Sequence, residues 1–305
     1  MNTNDNNPLL CSPESGACEV PATGTADNID AKEATAKPVQ IIYFTDPICS
    51  SCWGIEPQLR RLKLEYGDYI NIEYHMGGLL PGWENFYSGG ITKPSDVAHH
   101  WDEVSLHYEM PIDGDVWLED PLSSSYPPSI AFIAAQLQNK AKAVKFLRHI
   151  REMVFLEKKN ITKWEHLKAA AEKAGLDTVQ LKKDYEGQAN QLFKNDLDYA
   201  RTNGVRGFPT LFFVDSSNNR QMLYGARPYQ DFERILQFMY PDAVKKPLPA
   251  NNELFNHYPT LTAKEFAVLT GQTISQSTQT LDNWVADGML EKHNTKNGAL
   301  WKLKK

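Results

Sequence analysis

The sequence predicts an α/β protein whose sheet is interrupted by a long helical block and followed by a small separate module. Three observations carry that prediction. A strand–helix–strand unit fills 38–78, apolar residues then recur at helical spacing from about 79 to 204, and strand-like runs return at 211–224. The chain has 305 residues, long enough for two domains of ordinary size.

The first stretch, 1–37, is rich in Asn, Asp, Ser, Thr, Ala and Pro and has little apolar periodicity. It reads as a flexible tail that cannot bury enough surface to order itself. The run Val39-Gln40-Ile41-Ile42-Tyr43-Phe44 reads as a strand over 39–45, leading into an amphipathic helix over about 50–66. Tyr69-Ile70-Asn71-Ile72-Glu73-Tyr74 alternates as a second strand and ends at Gly77-Gly78.

The block 79–204 reads as a helical insertion. Pro94-Ser95-Asp96 caps one helix and Pro127-Pro128-Ser129 precedes another, while Asn203-Gly204 closes the block. Leu211-Phe212-Phe213-Val214 and Gln221-Met222-Leu223-Tyr224 restore the strand pattern around a polar turn, and a helix over about 229–239 follows. The first unit is therefore expected over 38–78 and 205–240, with a Pro-rich link at 241–252. The last module, 253–305, reads as helix 262–270, a turn at Gly271, helix 274–287 and two short strands, the outline of a winged helix-turn-helix.

Chemistry concentrates at Cys49-Ser50-Ser51-Cys52. A strand that delivers two cysteines at this spacing to the first turn of a helix is suited to making and breaking a disulfide. Unpaired N–H groups and the positive end of the helix dipole there favour a thiolate on the first sulfur. Ser50 and Ser51 add no charge, so a redox potential between the strongest oxidants and the strongest reductants is expected. Gly207-Phe208-Pro209-Thr210 is the second informative stretch. A proline just ahead of a buried strand marks a bulge, an edge or a cis bond.

Together these residues resemble the thioredoxin superfamily, in which a cis-proline loop faces the Cys-x-x-Cys. With residues 79–204 as the inserted helices, the resemblance narrows to the DsbA family. Thr45-Asp46-Pro47-Ile48-Cys49-Ser50-Ser51-Cys52-Trp53-Gly54 is similar to the signature of its cytoplasmic FrnE-like members. Arg61-Leu62-Lys63-Leu64-Glu65-Tyr66 and Gly298-Ala299-Leu300-Trp301-Lys302 resemble the YjbH (SpxH)-like type, whose members serve as adaptors for proteolysis. The similarity spans about 38–303. It implies a thiol–disulfide oxidoreductase acting on protein or peptide thiols and disulfides, with Cys49 attacking, Cys52 resolving and Pro209 beside them. Phe208, Thr210 and Trp53 are then expected to hold substrate. The alternative it implies is a redox-sensitive adaptor that presents a regulator to a protease. The glutathione-dependent isomerase branch of the same fold replaces the first cysteine by serine, so Cys49 disfavours it.

Other signals are weaker. Cys11 and Cys18 have three readings: disulfide exchange with Cys49 and Cys52, a metal site shared with them, or no role. His99, Glu103 and His107 fall on one face of a predicted helix, but the outer pair is too far apart for one ion, so a solvated face is expected and no metal or other cofactor is assigned. Trp83, Trp101 and Trp117 either pack the insertion or line the substrate groove, with packing the preferred reading. In the last module Ser275, Gln276, Gln279 and Asn283 line a helix of recognition type, yet charges around it nearly balance. With a net charge of −6 for the chain, neither a nucleic acid nor an anionic membrane is an expected partner. No run approaches the ~18–20 apolar residues of a membrane span and no secretory signal is visible, so a cytoplasmic location is expected.

Overall fold

The computed structural model describes residues 11–12, 16–19, 37–84 and 91–304. Its central sheet has four strands in the order β4-β3-β6-β7, with β3 at Val39–Thr45, β4 at Ile70–Met76, β6 at Thr210–Asp215 and β7 at Arg220–Tyr224. β3 runs parallel to β4 and antiparallel to β6, which in turn pairs antiparallel with β7. β3 and β6 are apolar on both faces because helices cover both, whereas β4, at the sheet edge, keeps an alternating pattern.

The helix after β3 covers the expected span of about 50–66 and is broken in two, α1 at Ser50–Gly54 and α2 at Glu56–Tyr66. The break falls at Ile55, just ahead of Pro57, whose ring and missing N–H do not fit the interior of an unbroken helix. Between β4 and β6 lie α3 (Pro94–Tyr108), α4 (Val116–Glu119), α5 (Tyr126–Gln138), α6 (Lys140–Leu156), α7 (Trp164–Lys173), α8 (Thr178–Glu186) and α9 (Ala189–Thr202). Trp101 and Trp117 are buried there in a T-shaped pair, with Trp83 edge-on to Trp117. His99 and Glu103 stand on the exposed side of α3. After β7, α10 (Tyr229–Met239) packs back on α2 and β6.

Past a short 3₁₀ turn, α11 (Leu254–His257), β8 (Thr260–Thr262), α12 (Ala263–Thr270), α13 (Ile274–Ala286), β9 (Leu290–Thr295) and β10 (Gly298–Leu303) form a helix-turn-helix beside a sheet ordered β8-β10-β9. Thr262 with Glu265 and Thr273 with Gln276 make capping boxes, and Gly271 ends α12 at φ 75°. This module does not stand apart. α12 packs on α2, and the fully buried Glu265 takes both guanidinium arms of Arg148 at 2.8 and 3.1 Å and Arg60 Nε at 3.2 Å. Asn297 donates to Asp102 and to the Ile112 carbonyl, tying the β9–β10 turn to the insertion.

Within 1–37, which the sequence reads as a flexible tail, the described residues 11–12 and 17–19 are strands. β1 (Cys11–Ser12) pairs antiparallel with β2 (Ala17–Glu19), and β2 pairs with β5 (Gly207–Phe208). The order comes from long-range pairing with β5, which local composition does not encode.

Candidate redox site

Cys49 is the N-cap of α1, placed there by the rigid exit of β3. Its Sγ accepts a hydrogen bond from the Cys52 N–H at 3.1 Å, a contact that favours negative charge on this sulfur whenever the pair is reduced. Cys49 and Cys52 are joined in a disulfide, with Cα atoms 5.2 Å apart. The Phe208–Pro209 peptide bond is cis, and the Phe208 carbonyl oxygen lies 3.6 Å from Cys49 Sγ. Two segments far apart in sequence thus meet at one sulfur.

Asp46 fixes the loop between β3 and α1. Its carboxylate accepts from the Ile48 and Leu79 N–H groups and from the Ser125 hydroxyl, at 3.0, 2.8 and 2.8 Å. Burial pushes its pKa up to about 6, against the pull of those donors and of Arg151. Arg151, fully buried, donates to Glu56, to the Thr45 hydroxyl and to the Asp46 carbonyl. Neither Asp46 nor Arg151 figures in the sequence-based set. Asp46 lies within the quoted signature, but nothing local marks its partners in the insertion.

The remaining expected residues divide. Phe208 is buried, and its backbone pairs with Cys18. Its ring fills the space beside Gly77, where any Cβ would collide with it. The Thr210 hydroxyl donates to the Gly207 carbonyl at 2.7 Å, which braces the proline loop from within. Trp53 is a correction. It is fully buried, stacked on Phe155 with its Nε1 donating to the Pro111 carbonyl, and Arg148 lies 4.3 Å over its ring. It therefore packs between α1 and the buried ion cluster and offers no surface to a substrate.

A second correction concerns access. An attacking sulfur calls for an accessible one, yet Cys49 and Cys52 are fully buried, as are Ala17 and Cys18 of β2. Cys18 Sγ lies 3.4 Å from Cys49 Sγ. Cys11 is the cross-strand partner of Cys18. The N-terminal strand β2 thus brings a third sulfur beside Cys49.

The model of a family described as Thioredoxin matches residues 43–234. The ClpXP adapter protein SpxH of Halalkalibacterium halodurans is 34% identical over 303 residues, covering 97% of each chain. SpxH of Bacillus subtilis is 31% identical over 272 residues, covering 87% of this chain and 89% of that one. The chain belongs to the SpxH family of thioredoxin-like proteins. The solved structure of the cytosolic disulfide reductase DsbM from Pseudomonas aeruginosa is similar in fold, with a TM-score of 0.53 at 20% identity. That likeness covers 65% of this chain and 99% of DsbM. As in the DsbA-like architecture, the sheet of this chain is split by a large helical insertion. Among the described residues no helix is long and apolar enough to cross a membrane.

Proposed function

We propose that this protein is an adapter that presents a regulator to the ClpXP protease, with thiol–disulfide exchange at Cys49 and Cys52 as its redox input. The observation that carries this reading is the extent of the likeness: it runs over 97% of both chains to a protein named as a ClpXP adapter. The likeness to the disulfide reductase covers only about two thirds of the chain. Cys49 is the attacking sulfur and Cys52 the resolving one, with Phe208 and Pro209 offering backbone to an extended partner segment. The C-terminal module, 253–305, supplies a protein-contact surface. A cytoplasmic location fits a disulfide that is made and broken rather than kept.

A second reading, a disulfide oxidoreductase turning over protein thiols, is favoured by the Phe208 carbonyl oxygen 3.6 Å from Cys49 Sγ, which sets main chain beside the disulfide. One pair of assays separates the two. Purified ClpXP is given the soluble proteins of cells lacking ClpX, with and without this chain, under reducing and oxidising conditions. The adapter reading expects at least one polypeptide to be degraded faster only when the chain is present, at a rate that differs between the two conditions in the wild type but not in Cys49→Ala/Cys52→Ala. Acceleration of no polypeptide sinks it. Insulin reduction by the wild type that disappears in Cys49→Ala supports turnover.

A further inference from the structure

The N-terminal strand sits where an extended partner of the redox site belongs. Cys18 pairs antiparallel with Phe208, the residue before the cis-proline, and Glu19 pairs with Gly207. On its other flank the Gly16 carbonyl accepts from the Ala226 N–H. Gly16 has φ 66°, and a Cβ there would meet the Ala226 backbone at 2.8–2.9 Å. The position therefore requires glycine on both conformational and steric grounds. Ala17 and Cys18 are fully buried, and the Cys18 sulfur is held 3.4 Å from that of Cys49. Main-chain pairing provides the grip and a buried cysteine provides the chemistry, the two components of strand addition at a thiol site.

We infer that residues 16–19 are a tethered substrate strand, and that the hairpin pair Cys11–Cys18 is the resident exchange partner of Cys49–Cys52, reached through a Cys18–Cys49 mixed disulfide. This rests on the reading that Cys49–Cys52 is redox-active. Cys18 is itself disulfide-bonded in the structure, so exchange begins once one pair has been reduced. With the hairpin reduced, the Cys18 thiolate attacks Cys49 Sγ, the Cys49–Cys52 bond breaks and Cys52 leaves as a thiolate. The Cys11 thiolate then attacks Cys18 Sγ, a Cys11–Cys18 bond forms and Cys49 leaves as a thiolate. Two electrons pass from the hairpin to Cys49–Cys52, and the protons lost by the attacking thiols are regained by the leaving ones. No outside oxidant is consumed, and the reverse run returns the disulfide.

The seat also defines the client. An external segment must displace a strand present at an effective concentration on the order of millimolar. It must be extended and carry a cysteine opposite Phe208, with a glycine two positions earlier where the Ala226 backbone leaves no room for a side chain.

The test uses the full chain. Reduced Cys11→Ser/Cys52→Ser, which lacks both resolving thiols, is oxidised with oxidised glutathione and mapped by non-reducing peptide mass spectrometry. The expected product links Cys18 to Cys49, and Cys11→Ser/Cys18→Ser/Cys52→Ser instead carries glutathione on Cys49. Glutathione on Cys49 of Cys11→Ser/Cys52→Ser without a Cys18 link, while the wild type still closes Cys49–Cys52, overturns the relay and leaves the redox reading standing. Failure of the wild type to close Cys49–Cys52 overturns both. A second variant needs no change at any cysteine. Gly16→Ala is expected to raise the rate of N-ethylmaleimide modification of reduced Cys49 roughly tenfold, the effect of about 1.4 kcal/mol lost from strand docking. An unchanged rate overturns the seat itself.

Discussion

His75 joins the edge of the sheet to α9. Its Nδ1 lies 2.7 Å from Asp196 Oδ1, its Nε2 lies 3.5 Å from Glu73, and Asp196 also accepts from the Met76 N–H. Burial by itself would lower the imidazole pKa, but the two carboxylates outweigh it and raise it from 6.5 to about 9. The folded state then holds a proton that the unfolded chain releases, so the contribution is complete below pH 6.5 and is lost as pH rises through 9. At order of magnitude it amounts to about 3 kcal/mol. Urea denaturation from pH 6 to 9.5 is expected to show this decline in the wild type and a flatter profile in His75→Gln. Parallel profiles would remove His75 as its source. At the same scale, Cys49, Cys52 and Pro209 were legible because spacing and a strand-leading proline are local signals. Asp46, Arg151 and Glu56 were not, because what defines them is burial against partners some 80 to 100 residues away in the chain. Trp53 misled because its place next to Cys52 says nothing of which side of α1 it faces.

Among the elements, α12 shows how the C-terminal module is held. Glu265 has two duties, closing the capping box with the Thr262 N–H at 2.8 Å and neutralising Arg60 and Arg148 in full burial. Two substitutions separate them. Thr262→Ala removes the cap hydroxyl and is expected to cost about 1 kcal/mol. Glu265→Gln keeps a side chain able to accept from Thr262 but leaves the buried guanidinium of Arg60 short of a counter-charge, with an expected cost of about 3–5 kcal/mol. Chemical denaturation of the two variants measures the difference, and a Glu265→Gln variant as stable as the wild type would mean that the cap alone matters. The helices of this module were readable from apolar spacing and from Gly271, because caps and periodicity are written within each element. β2 was unreadable for the opposite reason. Ala17-Cys18-Glu19 has no alternation of its own and is a strand only because β5 offers it an unpaired edge.

At the scale of the whole molecule, the redox site and the last module are joined mechanically. Arg148 touches Glu265 with its guanidinium arms and covers the ring of Trp53, the residue after Cys52, so α6 bridges the two. The joined body turns α13 outward, with Ser275, Gln276, Gln279 and Asn283 exposed along it. A helix in this position has two very different uses. A nucleic-acid reader relies on phosphate attraction, which a chain of net charge −6 supplies poorly. A protein contact needs only a fixed, complementary face, which suits an adapter. The double substitution Gln279→Lys/Asn283→Lys separates the uses because it moves them in opposite directions. Both positions are exposed, so folding stability is expected to stay within about 0.5 kcal/mol of the wild type. If α13 contacts a client or the protease, the stimulated degradation rate falls roughly tenfold, the scale of one disrupted interface anchor. If α13 reads nucleic acid, two added cations instead tighten duplex binding and steepen its salt dependence. Degradation assays and a salt-titrated duplex-binding measurement on the same preparation decide between them, and tighter duplex binding with undiminished degradation would take α13 out of the adapter's working surface.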